Sequence, residues 1–239
     1  MSEKELKNRE ERKKKYEMTE ETMVICGETL HRIRALKTFG EVEAGQLGGW
    51  IEKEENLSHE GEAWVGGDAR VRENARVEGE ACIEGKAYVG GEAWIGENAK
   101  VEGNARVGGK AYVGGDAYVG GEAWIGGEAY VGGNARVGGE ARVEGDAWIG
   151  GNADIFSKSQ ILVIGPIGSR DDFTTFYRDK DNEITVKCGC FLGKIDEFLE
   201  KVAETHGDSK YALVYRTAVE AAKQQIDLSG EAPKEERNK

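Results

Sequence analysis

Residues 61–156 read GEAWVG GDARVR ENARVE GEACIE GKAYVG GEAWIG and continue in step to GNADIF at Phe156, sixteen six-residue units without an insertion. The third place is Ala in every unit from Ala63 to Ala153, and the fifth is Val or Ile from Val65 to Ile155. Two apolar residues flanking one polar or aromatic residue make the alternation of a short strand, with the third and fifth places on one face and the fourth on the other. A helix would need an apolar period of 3.6 residues, which these units lack. Fourteen units open with Gly, and the two that open with Glu73 and Glu97 follow it with Asn74 and Asn98. Gly and Asn best tolerate a positive φ, so each unit is expected to turn a left-handed backbone corner, Asn74 and Asn98 taking that role in the Glu-led units. A strand and a corner every six residues predict a solenoid, the architecture that internal repeats of this kind mark.

These residues resemble the hexapeptide-repeat proteins. The resemblance implies a left-handed parallel β-helix, a triangular prism with three hexapeptides per coil, so that sixteen units make about five coils stacked ~4.8 Å apart. SKSQIL, VIGPIG and SRDDFT keep an apolar fifth place (Ile161, Ile167, Phe173) and are expected to extend the prism to residue 173.

The remaining sequence is not repetitive and is expected to cover the two open ends, which would otherwise polymerise. Residues 1–22 and 229–239 read as charged tails, and residues 23–60 as an N-terminal β cap in which a hairpin leads into an irregular first coil. Residues 174–228 read as a hairpin around the turn Asp179–Asn182, followed by two helices. Ile195, Phe198, Leu199 and Val202 share a face of the first helix, which Gly207 stops. Asp208 or Ser209 caps the second, which carries Tyr211, Val214, Tyr215, Ala218 and Ala222. The fold class is thus an all-β solenoid with a β cap at one end and a small α+β cap at the other. The segments LHRIRALKTFG…GGWIEKEENLSHEGEAWV and CGCF…ETHGDSKY look like the termini of hexapeptide-repeat proteins encoded by phages and prophages. That resemblance implies a mobile-element origin, and with it a bacterial host cytoplasm, but no agreed activity.

Composition narrows the function. With 33% charged residues and a mean hydropathy of −0.59, the chain offers no apolar run of membrane-spanning length, and no membrane partner is expected. Four scattered cysteines suit reduced thiols. A net charge of −12 disfavours direct nucleic-acid binding, and nine basic residues mixed among the sixteen acidic ones of the repeat disfavour nucleic-acid mimicry. The repeats hold no threonine, which excludes the regular threonine arrays of ice-binding prisms.

The best-known hexapeptide-repeat proteins are acyltransferases with a histidine base in a cleft between subunits, and that activity is the alternative reading. The three histidines here, His31, His59 and His206, all lie outside the sixteen units, and no loop interrupts them. His59 occupies the fifth place of the pseudo-repeat ENLSHE, where a packing role is expected. Cys188 and Cys190, in a strand, read as small buried hydrophobes, since with His206 they fall short of the usual four-ligand zinc pattern. No catalytic residue, metal or cofactor is therefore assigned. The fourth places point outward in three columns. The second reads Arg70, Tyr88, Arg106, Trp124, Arg142, alternating cation and ring at a spacing that permits cation–π stacking. The third carries Trp94, Tyr112, Tyr130 and Trp148 in unbroken succession. These rings, with Arg106, Trp124 and Arg142, are the candidate binding residues of a non-catalytic scaffold, expected to form a homodimer or homotrimer. A host protein or a small host signalling molecule, as in immune evasion, is the expected further partner; a structural part of a phage particle is the variant reading.

Overall fold

The computed structural model describes residues 14–229; the outer parts of both expected tails lie outside the described residues. Strands β1 (Tyr16–Ile25) and β2 (Glu28–Ala35) form an antiparallel hairpin whose second strand pairs with β3 (Leu47–Ile51). β1 begins inside the stretch read as tail. The next sixteen strands, β4 (Trp64–Val65) to β19 (Asp154–Ile155), are two residues each and occupy the fourth and fifth places of the sixteen units. Each strand from β4 to β16 pairs in parallel with the strand eighteen residues on, as Trp64 does with Cys82 and Arg106 with Trp124. Three hexapeptides therefore make one coil, and the chain forms a three-faced parallel β-solenoid of about six turns.

The inner columns follow the repeat: every Ala from Ala63 to Ala153 and every Val or Ile from Val65 to Ile155 is at most 1% exposed. Burying each fifth-place side chain contributes roughly 1.5–3 kcal/mol, while the methyl groups of the alanines set how narrow the prism is. Between coils the backbone bonds run one way. The N–H groups of the second, fourth and sixth places donate to the carbonyls of the first, third and fifth places one coil on. Examples are Glu62 to Gly79 at 2.8 Å, Trp64 to Ala81 at 2.9 Å and Gly66 to Ile83 at 2.8 Å.

The corners differ from expectation at the two Glu-led units. Glu73 (φ 59°) and Glu97 (φ 55°) themselves adopt the left-handed conformation, and Asn74 and Asn98 do not. The corner is fixed by stacking on the equivalent residue of the next coil, so it cannot slide one place to suit the side chain. A compensation offsets the strain: the Glu73 carboxylate accepts the Gly91 N–H, and Glu97 Oε2 accepts the Gly115 N–H at 2.5 Å. The asparagines instead tie coils together, Asn98 Nδ2 donating to Asp116 Oδ1 at 2.8 Å and Asn74 Oδ1 accepting from Lys53 Nζ at 2.9 Å.

The first coil is irregular, as expected. Trp50 pairs with Arg70 and Leu57 bridges to Val77, both twenty residues apart rather than eighteen, because two extra residues enter the coil between Ser58 and Glu62. Leu57, not His59, therefore fills the inward column.

The regular coils end at Ile155, short of residue 173. β20 (Ile161–Ile167) runs antiparallel to β21 (Asp172–Arg178), which pairs in turn with β22 (Ile184–Cys188) and β23 (Phe191–Lys194). The physical reason lies in the other places of SKSQIL, VIGPIG and SRDDFT. Their corner residues are Ser157, Val163 and Ser169, none of which adopts a positive φ, and their third places are Ser159, Gly165 and Asp171 instead of Ala. Helices α1 (Ile195–His206) and α2 (Lys210–Gln225) pack on this sheet. Gly207 stops α1 with φ 54°, and Ser209 caps α2 by accepting the Ala212 N–H. α2 buries Ala212, Tyr215, Ala218, Val219 and Ala222, while Val214, expected on that face, is exposed. β21 separates two cores by its period of two: Phe176 joins the helical core and Tyr177 the prism core.

Candidate functional site

The three predicted columns are the three faces of the prism. On the third, the rings of Tyr112, Tyr130 and Trp148 stack at centroid distances of 5.1 Å with interplanar angles of 6° and 8°. Trp94 meets Tyr112 edge-on at 5.6 Å and 84°, and is the most exposed ring of the column at 46%. Lys187 of β22 lies 4.5 Å over Trp148 and closes the far end of the stack. Faces of neighbouring rings thus cover one another, and ring edges form the outer surface. The Tyr112 hydroxyl donates to Glu97 at 3.1 Å; burial, followed by that carboxylate, pushes its pKa up to about 12.

A feature missed in the sequence explains how the rings lie. All eight fourth-place aromatics, from Trp64 to Trp148, have Gly two residues later. Seven of the rings fold back over that glycine, and Trp64 lies over Gly48 instead. A methyl group at Gly126 would meet Trp124 Nε1 at 2.7 Å, and one at Gly132 would meet Tyr130 Cε1 at 2.7 Å. On the third face this places Gly96, Gly114, Gly132 and Gly150 under the rings, all buried, so no charged side chain projects from the sixth places there. The ring–glycine covariation was available in the sequence and would have identified this face as flat.

The second face is longer than its five predicted members. β2 and β3 extend the same sheet, and Arg32 pairs with Trp50, which pairs with Arg70. The line therefore alternates Arg and ring from the hairpin to Arg142. Arg32 lies 5.1 Å from the Trp50 ring and Arg142 5.9 Å from that of Trp124, as the alternation predicts. Tyr88 departs from it: Arg72, a sixth-place residue, lies 5.2 Å over its ring and its Nε donates to the hydroxyl at 2.6 Å. Trp124 is 41% exposed, and Arg106 and Arg142 are exposed. On the first face Trp64 is buried beneath Phe39, and burial holds the Cys82 thiol up at about 12.

The histidines are spread over separate contacts. His59 stacks on Tyr16 at 4.3 Å, pairs with Glu54 at 2.7 Å through Nε2, and accepts the Lys15 N–H at Nδ1. His31 contacts the Thr19 carbonyl, and His206 lies against Tyr211 and Tyr215. Both ring nitrogens of His59 are thus used within the cap. Cys188 ends β22, and Cys190 sits exposed in the turn after it rather than buried in a strand, because Gly189 turns the chain at φ 55°. Among the described residues no three His, Cys, Asp or Glu side chains cluster as metal ligands, and no helix is long and apolar enough to cross a membrane. A shallow depression of about 370 Å³ between β20 and α2 is lined by Ile164, Ile167, Leu213, Thr217 and neighbouring apolar residues. Its lining carries no acid or base.

No family model matches the chain, and no curated protein matches it either.

Proposed function

We propose that this chain is a non-catalytic, rigid β-helix scaffold of the hexapeptide-repeat kind, encoded by a phage or prophage, that self-associates through its third face in a bacterial cytoplasm. The observation that carries the reading is the uninterrupted run Trp94–Tyr112–Tyr130–Trp148 over four buried glycines. A flat surface of ring edges without interleaved charge is an apolar patch that a monomer seldom leaves uncovered. A second copy of the chain suits it because the rise between rings is identical in both copies. Such an assembly presents its remaining faces to a host protein or small signalling molecule. Light scattering tests the reading. The wild type should run as a multiple of 26.1 kDa, and the double substitution Tyr112→Ser, Tyr130→Ser should lower that mass without changing the coil. A monomeric wild type, or an unchanged mass in the variant, overturns it.

A further inference from the structure

The second face holds a binding chemistry that self-association through the third does not use. The described ion pairs of arginine engage Arg34, Arg72, Arg178 and Arg216, and none engages Arg70, Arg106 or Arg142. Arg70 Nε is buried without a hydrogen-bond partner. These three guanidiniums stand in one straight line with Tyr88 and Trp124 between them, because each strand pairs in register with the next. The sixth places beside the middle of the line are Gly90, Gly108 and Gly126, so no charged side chain rises there; the Tyr88 and Trp124 rings lie over the first and third, and Gly108 is uncovered.

From this alternation we infer that the second face binds a linear acidic polysaccharide in which charged and uncharged sugars alternate, lying along the prism axis. Each coil advances about 4.8 Å, close to the advance of one sugar in an extended β-linked chain. Arginines therefore recur about every 9.6 Å, once per disaccharide, with the exposed Trp124 ring opposite one intervening sugar and the Arg72–Tyr88 pair opposite the other. A guanidinium takes a carboxylate through two parallel N–H bonds, and an aromatic face, negative at its centre, takes the C–H face of a pyranose. An acidic peptide fits less well, because side chains on one face of a strand recur about every 6.8 Å and drift out of step with the cations. A single-stranded nucleic acid carries a charge on every unit and sets its bases beside the phosphates, whereas here cations and rings share one line. Its dense charge is also repelled more strongly by a chain of net charge −12.

The experiment is calorimetric titration of the full-length protein with a hyaluronan decasaccharide, whose glucuronate and N-acetylglucosamine alternate. Cello-oligosaccharide, polyglutamate and oligo-dT serve as competitors. Saturable binding is expected for hyaluronan alone. Arg106→Gln should weaken it by about tenfold or more, since a charge-assisted pair is lost; Trp124→Ser should weaken it as well. Arg106→Lys should fall between, keeping charge without the fork. Because these side chains point outward, the melting temperature should hold; if Trp124→Ser destabilises the coil, Arg142→Gln replaces it. Absence of saturable heat with hyaluronan, equal affinity in the arginine variants, or equally tight polyglutamate or oligo-dT overturns the inference. The Tyr112→Ser, Tyr130→Ser protein separates the two readings: its mass reports on the third face, and its glycan affinity should equal that of the wild type.

Discussion

Gly108 and Gly109 are adjacent, yet replacing each with Ala should move stability in opposite directions. Gly109 opens a unit with φ 66°, and a Cβ there would sit 2.5 Å from the Gly127 carbonyl oxygen and 2.9 Å from its nitrogen. Both obstacles are backbone of the next coil, which cannot rotate away. The left-handed conformation costs Ala about 1–2 kcal/mol, and forcing two coils apart costs about 1–3 kcal/mol by analogy with overpacked cores. The stiffer unfolded chain returns about 0.4–1 kcal/mol, so the net loss is roughly 1–5 kcal/mol. Gly108 closes the preceding unit at ordinary φ, no ring folds over it because Arg106 holds the fourth place, and a Cβ there meets nothing within 4 Å. Only the unfolded-state effect remains, and Gly108→Ala should gain about 0.4–1 kcal/mol. Urea unfolding followed by circular dichroism measures both. Equal midpoints for the two variants would refute the assignment of strain to the first place of each unit.

Gly121→Val (φ 60°) should be more harmful than Gly126→Val, since only the first sits in the left-handed region while the second displaces a mobile ring; thermal melting ranks them. Ala117→Leu should overpack the prism and lower stability by about 1–3 kcal/mol, and an unchanged melting temperature would contradict its inward placement. Glu97→Ala keeps the positive φ but loses the acceptor for the Gly115 N–H and the Tyr112 hydroxyl, so it should destabilise more than Glu97→Gly. Burial, then the neighbouring Lys37, lowers the Lys15 pKa from its ordinary 10.5 to about 8. Between those values the unfolded chain binds more protons, so this group makes stability rise with pH from about 8 toward 10.5. The urea midpoint should show that rise in the wild type and a flatter profile in Lys15→Met.

The parts legible in the sequence are those that a local pattern decides. The strand of each unit, the three outward columns, the turn Asp179–Asn182 and the Ser209 cap all depend on residues a few places apart. What escaped depends on a neighbour one coil away. Asn74 looks better suited to a corner than Glu73, but the corner must stack on Gly91, and the Glu73 carboxylate makes that tolerable by taking the Gly91 N–H. Arg32 and Trp50 join the second face only because β3 enters the sheet twenty residues before Arg70, a register set by the two extra residues between Ser58 and Glu62. The end of the prism was legible in principle. An apolar fifth place at Ile161, Ile167 and Phe173 is insufficient when the third place is no longer Ala and the corner no longer Gly.

The direction of the inter-coil bonds also decides what each end of the prism requires. Since the second, fourth and sixth places donate toward the C-terminal end, the first coil is left with carbonyls facing outward and the last with N–H groups. The two caps answer with opposite chemistry. At the N-terminal end the donors are cationic or neutral N–H and O–H groups. Lys15 Nζ reaches the Ala63 carbonyl at 2.6 Å, Asn56 Nδ2 the Ala75 carbonyl at 2.8 Å, and the Tyr16 hydroxyl the Leu57 carbonyl at 2.8 Å. At the C-terminal end the cap supplies acceptors to the outward N–H groups, Gln160 Oε1 taking the Phe156 N–H at 2.6 Å and Thr175 Oγ1 the Trp148 N–H at 3.1 Å. Its donors Tyr177 and Arg178 reach only the Gly150 and Asp154 carbonyls, at sixth and fourth places that the inter-coil ladder does not use. Buried polar groups must be paired, so a lysine with 0% exposure is tolerated at one end of this prism because that end presents carbonyls. The same lysine at the other end would face N–H groups. The caps are therefore not interchangeable, and two prisms stacked end to end would each have to give up a cap before their coils joined.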